Sequence, residues 1–121
     1  MKTALATSAA EERMKIILQM TGLEYQFDTV ISAASIKNSK PDPEIFLTAA
    51  KKMSIKPEDC LVIEDSINGV KAAKNAGMKC IGFDRNGEQD LSDADILINS
   101  FYENNIVHVI NYFGLNKNLL N

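Results

Sequence analysis

Val62-Ile63-Glu64-Asp65-Ser66-Ile67-Asn68-Gly69-Val70 decides the fold class of this 121-residue chain. The apolar run Cys60-Leu61-Val62-Ile63 leads straight into two carboxylates and then a serine. A continuous apolar run of four, entered from a Lys56-Pro57-Glu58-Asp59 turn, suits a strand covered on both faces, as in a parallel sheet. Ser66 is a helix cap, and the helix it opens runs to Ala76-Gly77. Strand, acidic pair and helix therefore follow one another without a linker.

The same alternation extends outward in both directions. Upstream, Leu5-Ala6 ends a first short strand, and Glu12 to Met20 forms a helix with Met14, Ile17 and Leu18 on one face and Gly22 as its stop. Phe27 to Ala33 is a second strand. Asp42-Pro43 opens a helix, with Asp42 as cap and Pro43 at the first helical position. Its buried stripe is Phe46, Ala49, Ala50 and Met53, at i, i+3, i+4 and i+7. Downstream, Lys79 to Phe83 and Ile96 to Ile98 are strands. A last helix carries Ile106, Val109, Ile110 and Phe113, and Asn116 to Asn121 form a frayed tail behind a domain spanning 1–115. Alternating strands and helices imply right-handed βαβ units and a layered α/β fold, a Rossmann-like parallel sheet with flanking helices.

Composition bounds the function. Thirteen Lys plus Arg against sixteen Asp plus Glu give a net charge of −3, which excludes a uniform basic face for nucleic acid. No apolar run approaches the roughly 18 residues needed to cross a bilayer, so no membrane partner is expected. Cys60 and Cys80 are too few for a disulfide scaffold; both lie in apolar runs and are expected as buried, reduced thiols of a cytoplasmic protein. Phe46, Phe83, Phe101 and Phe113 are expected in the core. His108, the sole histidine, lies off its helix's apolar stripe and is expected at the surface.

Ligands of parallel α/β sheets bind beyond the carboxyl ends of the strands. Thr7, with Ser8, follows the first strand. Lys40 lies in Asn38-Ser39-Lys40-Pro41-Asp42-Pro43 after the second, and Glu64 and Asp65 follow the third. Each has a plain reading on its own: a capping threonine, a surface lysine, a capping aspartate beside a solvated glutamate. Together they offer more. Two adjacent carboxylates at a strand mouth need a cation to stay ionised, and oxygen ligands suit Mg2+. A lysine fixed in a loop can hold a phosphate oxygen as a point charge. A hydroxyl and backbone amides at a strand-to-helix turn bind anions. That set suits phosphoryl transfer, where protein groups mostly position and neutralise charge.

Leu5-Ala6-Thr7-Ser8, Ser39-Lys40-Pro41-Asp42-Pro43-Glu44-Ile45-Phe46, Val62 through Val70 and Ala72-Ala73-Lys74-Asn75-Ala76-Gly77-Met78 together resemble the haloacid dehalogenase superfamily. The nearest branch is that of the β-phosphoglucomutase-like phosphatases and mutases, and the likeness runs from about residue 3 to residue 100. The resemblance implies that Thr7 hydrogen-bonds the transferring phosphoryl, that Lys40 neutralises its charge, and that Asp65 with Glu64 forms the Mg2+ site. It also gives Gly69 a mechanical role, since a residue without Cβ lets its helix approach the sheet closely.

The family's first motif, an Asp-x-Asp pair after the central strand, has no counterpart upstream of Thr7. Asp93-Ala94-Asp95 precedes a strand instead of following one, and Asp93 is expected in a turn. The resemblance therefore implies a core lacking its nucleophile-bearing strand and its helical cap. The expected function is Mg2+-dependent phosphoryl transfer, by a phosphatase or phosphomutase acting on a sugar phosphate or similar small phosphometabolite, in a longer parent protein. This chain alone is expected to be inactive. The alternative is a degenerate, non-catalytic domain that binds phosphate or a protein. The missing strand would lie between those ending at Thr7 and Ile63. Three arrangements would satisfy the slot: direct pairing of its neighbours, a strand-swapped or edge-paired homodimer, or the missing N-terminal segment.

Overall fold

The computed structural model describes residues 1–114, with the backbone alone at residues 103–106 and 110. The elements alternate as expected: β1 (Ala4–Ala6), α1 (Glu11–Thr21), β2 (Thr29–Ile31), α2 (Glu44–Met53), β3 (Leu61–Glu64), α3 (Ile67–Asn75), β4 (Lys79–Phe83), β5 (Ile96–Ile98) and α4 (Glu103–Tyr112). Every described ladder is parallel. The strands fall into two sheets, however, β1-β2 and β3-β4-β5. Among the described residues no ladder joins β1 to β3, so direct pairing of those two strands is not how the fold accommodates its short sheet.

Helices bridge the two sheets where hydrogen bonds do not. α2 packs on β1 and β2, α3 on β3 and β4, and the two helices touch each other. One core gathers Ile31, Ile45, Phe46, Val62, Val70 and Cys80, with Ala4 and Ala6 of β1 against it. Phe46, Ala49 and Ala50 are buried as their spacing predicts, while Met53 is half-buried. A smaller core on the opposite face of β4 and β5 joins Ile81, Ile96, Ile98 and Val109, with Phe83 and Phe113 beside it. The side chains of Ile106 and Ile110, Leu115 and the 116–121 tail lie outside the described residues. His108 is exposed, and Asp93 sits in a turn.

Several expectations are corrected. The run Cys60–Ile63 is not covered on both faces: Ile63 is 54% exposed and Cys60 only half-buried. In a strand, side chains alternate between faces. Val62 and Glu64 turn to the helices, so Ile63 takes the other face, which α4 covers over β4 and β5. On α1 only Leu18 of the expected stripe is buried; Met14 is half-buried and Ile17 is 47% exposed. Phe101 is 52% exposed and stacks on Phe83, ring centroids 4.6 Å apart, instead of entering the core. The second strand, Thr29–Ile31, is shorter than the expected 27–33 span, and its three residues pair in register with the three of β1.

Candidate active site

The carboxyl ends of β1 and β3 face a cleft of about 700 Å3, lined by Thr7, Ser8, Lys40, Glu64 and Asp65 among others. All five residues singled out in the sequence thus meet in one place. The parallel strand direction is the cause, since it delivers every post-strand residue to the same edge of the fold.

The β1 side supplies a hydroxyl. The Thr7 amide donates to the Ile31 carbonyl (2.9 Å), which continues the β1–β2 ladder by one residue. Its Oγ1 accepts from the Ala9 amide at 3.1 Å. A threonine hydroxyl carries one donor besides its acceptor lone pairs, so this bond leaves the O–H available to the cleft.

Lys40 and Glu64 form a nearly buried ion pair, their side chains 12% and 8% exposed. Lys40 Nζ donates to Glu64 Oε1 and lies 5.0 Å from the centroid of the Phe46 ring, a cation–π distance. The other Glu64 oxygen, Oε2, accepts from Ser66 Oγ at 3.1 Å, while that same Oγ accepts from the Gly69 amide at 3.0 Å. Ser66 therefore caps α3 as expected and holds the glutamate as well. The close approach of Gly69 is sharper than the sequence indicated. A Cβ added there would lie 1.9 Å from Glu64 Oε2 and 2.1 Å from its Cδ. The partner that the adjacent carboxylates need is thus present for Glu64 as the Lys40 ammonium.

Asp65 is different. It is exposed on the cleft, and its carbonyl accepts from Gln89 Nε2 at 2.7 Å. Among the described residues no three His, Cys, Asp or Glu side chains gather as a metal cage. Mg2+ does not require one: it keeps several waters and binds through one or two carboxylates plus substrate phosphate oxygens. Asp65 fits that sparse demand, with Glu64 beside it in the chain.

Two features escaped the sequence reading. Glu44, at the start of α2, accepts from the Lys37 and Asn38 amides at 2.7 and 2.8 Å and from Asn38 Nδ2 at 3.0 Å. The Lys37 amide, then that of Asn38, holds its carboxyl below the usual glutamate range. Asp42 also bonds as a cap, accepting from the Glu44 amide at 2.9 Å, although the regular helix begins at Glu44. The second feature is Asp95, which accepts from Lys74 Nζ at 2.7 and 2.8 Å and from the Cys80 amide at 2.7 Å, tying α3 to β4. Neither partner set has a local pattern, so spacing alone could not reveal it.

The chain is similar to known proteins in sequence and in fold. The model of the haloacid dehalogenase-like hydrolases matches residues 1–83. A phosphorylated carbohydrates phosphatase of Thermotoga maritima is 42% identical over 80 residues, 66% of this chain and 37% of that protein. A β-phosphoglucomutase of Bacillus subtilis is 34% identical over 97 residues, 80% of this chain and 41% of that protein. The crystal structure of a β-phosphoglucomutase from Clostridium difficile superposes with a TM-score of 0.79 at 30% identity, covering 95% of this chain and 51% of that one. The chain thus spans less than half the length of these two curated relatives, and its described part is a partial α/β core. By its matched residues and by its fold, the chain belongs to the haloacid dehalogenase-like hydrolases.

Proposed function

We propose that this chain is the phosphate-binding part of a Mg2+-dependent phosphatase or phosphomutase acting on a sugar phosphate or similar small phosphometabolite. The observation that carries this is the convergence of Thr7, Ser8, Lys40, Glu64 and Asp65 on one cleft. Thr7 donates its hydroxyl, and Ser8 its backbone amide or hydroxyl, to phosphoryl oxygens. Lys40 has two further N–H donors beyond the one given to Glu64, and these neutralise charge on the same group. Asp65, with Glu64 next to it, would hold a Mg2+ ion, which would supply charge stabilisation for the phosphoryl group. The attacking carboxylate comes from a segment outside these 121 residues. That segment, from a longer chain, fills the slot between β1 and β3. The free thiols of Cys60 and Cys80 fit a cytoplasmic setting, and no helix among the described residues is long and apolar enough to cross a membrane.

Turnover of p-nitrophenyl phosphate by the longer protein, with Mg2+ present, tests the assignment. Lys40→Ala and Asp65→Asn should each lower kcat by about 10²–10³-fold, the range found for removing one transition-state charge stabiliser. Full activity in either variant would overturn its role. The 121 residues alone should show no turnover. The second reading is a non-catalytic module that binds phosphate or a protein. That reading gains if the longer protein also lacks turnover yet binds phosphate.

A further inference from the structure

The Lys40 loop is clasped from two directions, and neither clasp touches the ammonium itself. Upstream of Lys40, the Glu44 carboxylate takes both backbone amides of Lys37 and Asn38 together with the Asn38 side chain. Downstream, Asn75 at the end of α3 donates from Nδ2 to the Pro41 carbonyl at 3.1 Å. Between them the Asp42 amide closes a turn on the Ser39 carbonyl at 3.0 Å, and the Asp42 carboxylate bonds back to the Glu44 amide. Glu44 therefore meets this loop twice, through its side chain and through its own N–H.

We infer that Glu44 is the positioning residue for Lys40, aiming its ammonium at the cleft by holding the backbone two and three residues ahead of it. This rests on the function proposed above. The geometry separates positioning from mere core packing. All three donors to the Glu44 carboxylate belong to the loop, and a second cavity of about 370 Å3 is lined by Asn38, Asp42 and Glu44. A lysine stem has four rotatable bonds, so a loop that drifts lets the ammonium leave Glu64 and the cleft for solvent. Charge-assisted bonds from backbone amides to a carboxylate are among the stronger ways to prevent that drift.

Nuclear magnetic resonance on the 121-residue chain tests this, with inorganic phosphate as the probe. Three signals are read: hydrogen exchange at the Lys37 and Asn38 amides, the Lys40 ammonium resonance, and the phosphate Kd. In Glu44→Ala the two amides should exchange at least about tenfold faster and phosphate should bind about tenfold more weakly, the loss expected for one charge-assisted hydrogen bond. Glu44→Gln keeps one acceptor oxygen, so it should fall between, and it decides the matter if the alanine variant does not fold. Leu18→Ala, on α1, should lower stability yet leave the Lys40 resonance and the phosphate Kd unchanged. An unmoved Lys40 resonance with wild-type phosphate affinity in both Glu44 variants would overturn the positioning role while leaving the proposed function standing. A wild-type chain that binds no phosphate would instead count against the proposed function, and the exchange rates and ammonium resonance would still decide Glu44.

Discussion

Gly69→Ala sets two physical effects against each other. Gly69 lies in the first turn of α3, and alanine there gains at most about 1 kcal/mol in helix propensity. The contact effect opposes this. The new Cβ would meet Glu64 Oε2 at 1.9 Å, Cδ at 2.1 Å and Oε1 at 2.5 Å. The Glu64 side chain can swing, so the steric cost alone is modest. The swing, however, breaks its bond from Ser66 and its ion pair with Lys40. Breaking a fully buried pair costs about 3–5 kcal/mol. Here both charges can turn into the open cleft and regain water, so about 2–3 kcal/mol is the better figure. Net destabilisation should be about 1–3 kcal/mol after the propensity gain. Urea unfolding followed by far-UV circular dichroism measures it. Gly77→Ala is the control: φ there is +74° and nothing lies within 4 Å of a new Cβ, so only backbone strain of about 1–2 kcal/mol is expected. The Lys40 ammonium resonance should shift in the first variant and not in the second. In a Glu64→Ala background the obstacle is gone, and Gly69→Ala should become neutral or stabilising. A Gly69→Ala protein as stable as wild type, with its Lys40 resonance in place, would refute the close packing on Glu64.

Two further outcomes follow from titrating groups. Burial raises the Asp95 pKa, but the Lys74 ammonium and the Cys80 amide outweigh it and hold the carboxyl below the ordinary aspartate range. Its contribution to stability should therefore be present above the unfolded-state pKa of about 4 and be lost as pH falls through the lower folded value. Asp95→Asn should be less stable than wild type at pH 7 and should flatten the acid limb of a stability–pH curve; an unchanged acid limb would show that the Asp95 bonds to Lys74 and Cys80 contribute nothing. Burial pushes the Cys80 thiol up to about 11, with Glu64 and Asp95 adding to the shift, so at pH 8 it should resist iodoacetamide in the folded protein. Half-buried Cys60 should react first and both should react in urea; faster modification of Cys80 than of Cys60 would contradict the burial found here.

What could be determined from sequence alone was local or periodic. Ser66 as a cap, the Phe46–Ala49–Ala50 stripe, the apolar strands and their alternation with helices all act through neighbours within about one turn or one strand, where residue type governs backbone preference. The convergence of Thr7, Ser8, Lys40, Glu64 and Asp65 also followed, because parallel strands deliver their exits to one edge. Only the tertiary structure decided which groups pair across that edge. Lys40 finds Glu64 and Lys74 reaches Asp95 across more than twenty residues, pairings that depend on how α2, α3 and the sheets seat against one another, while Glu44 turns back six and seven residues to the Asn38 and Lys37 amides, a loop closure that no residue pattern announces. Ile63 and Cys60 lost their expected burial for a related reason: an apolar run states what a strand can bury, whereas coverage depends on the elements that the rest of the fold places over it. The separation into β1-β2 and β3-β4-β5 is of the same kind, since a ladder forms only where a second strand's backbone donors and acceptors come alongside.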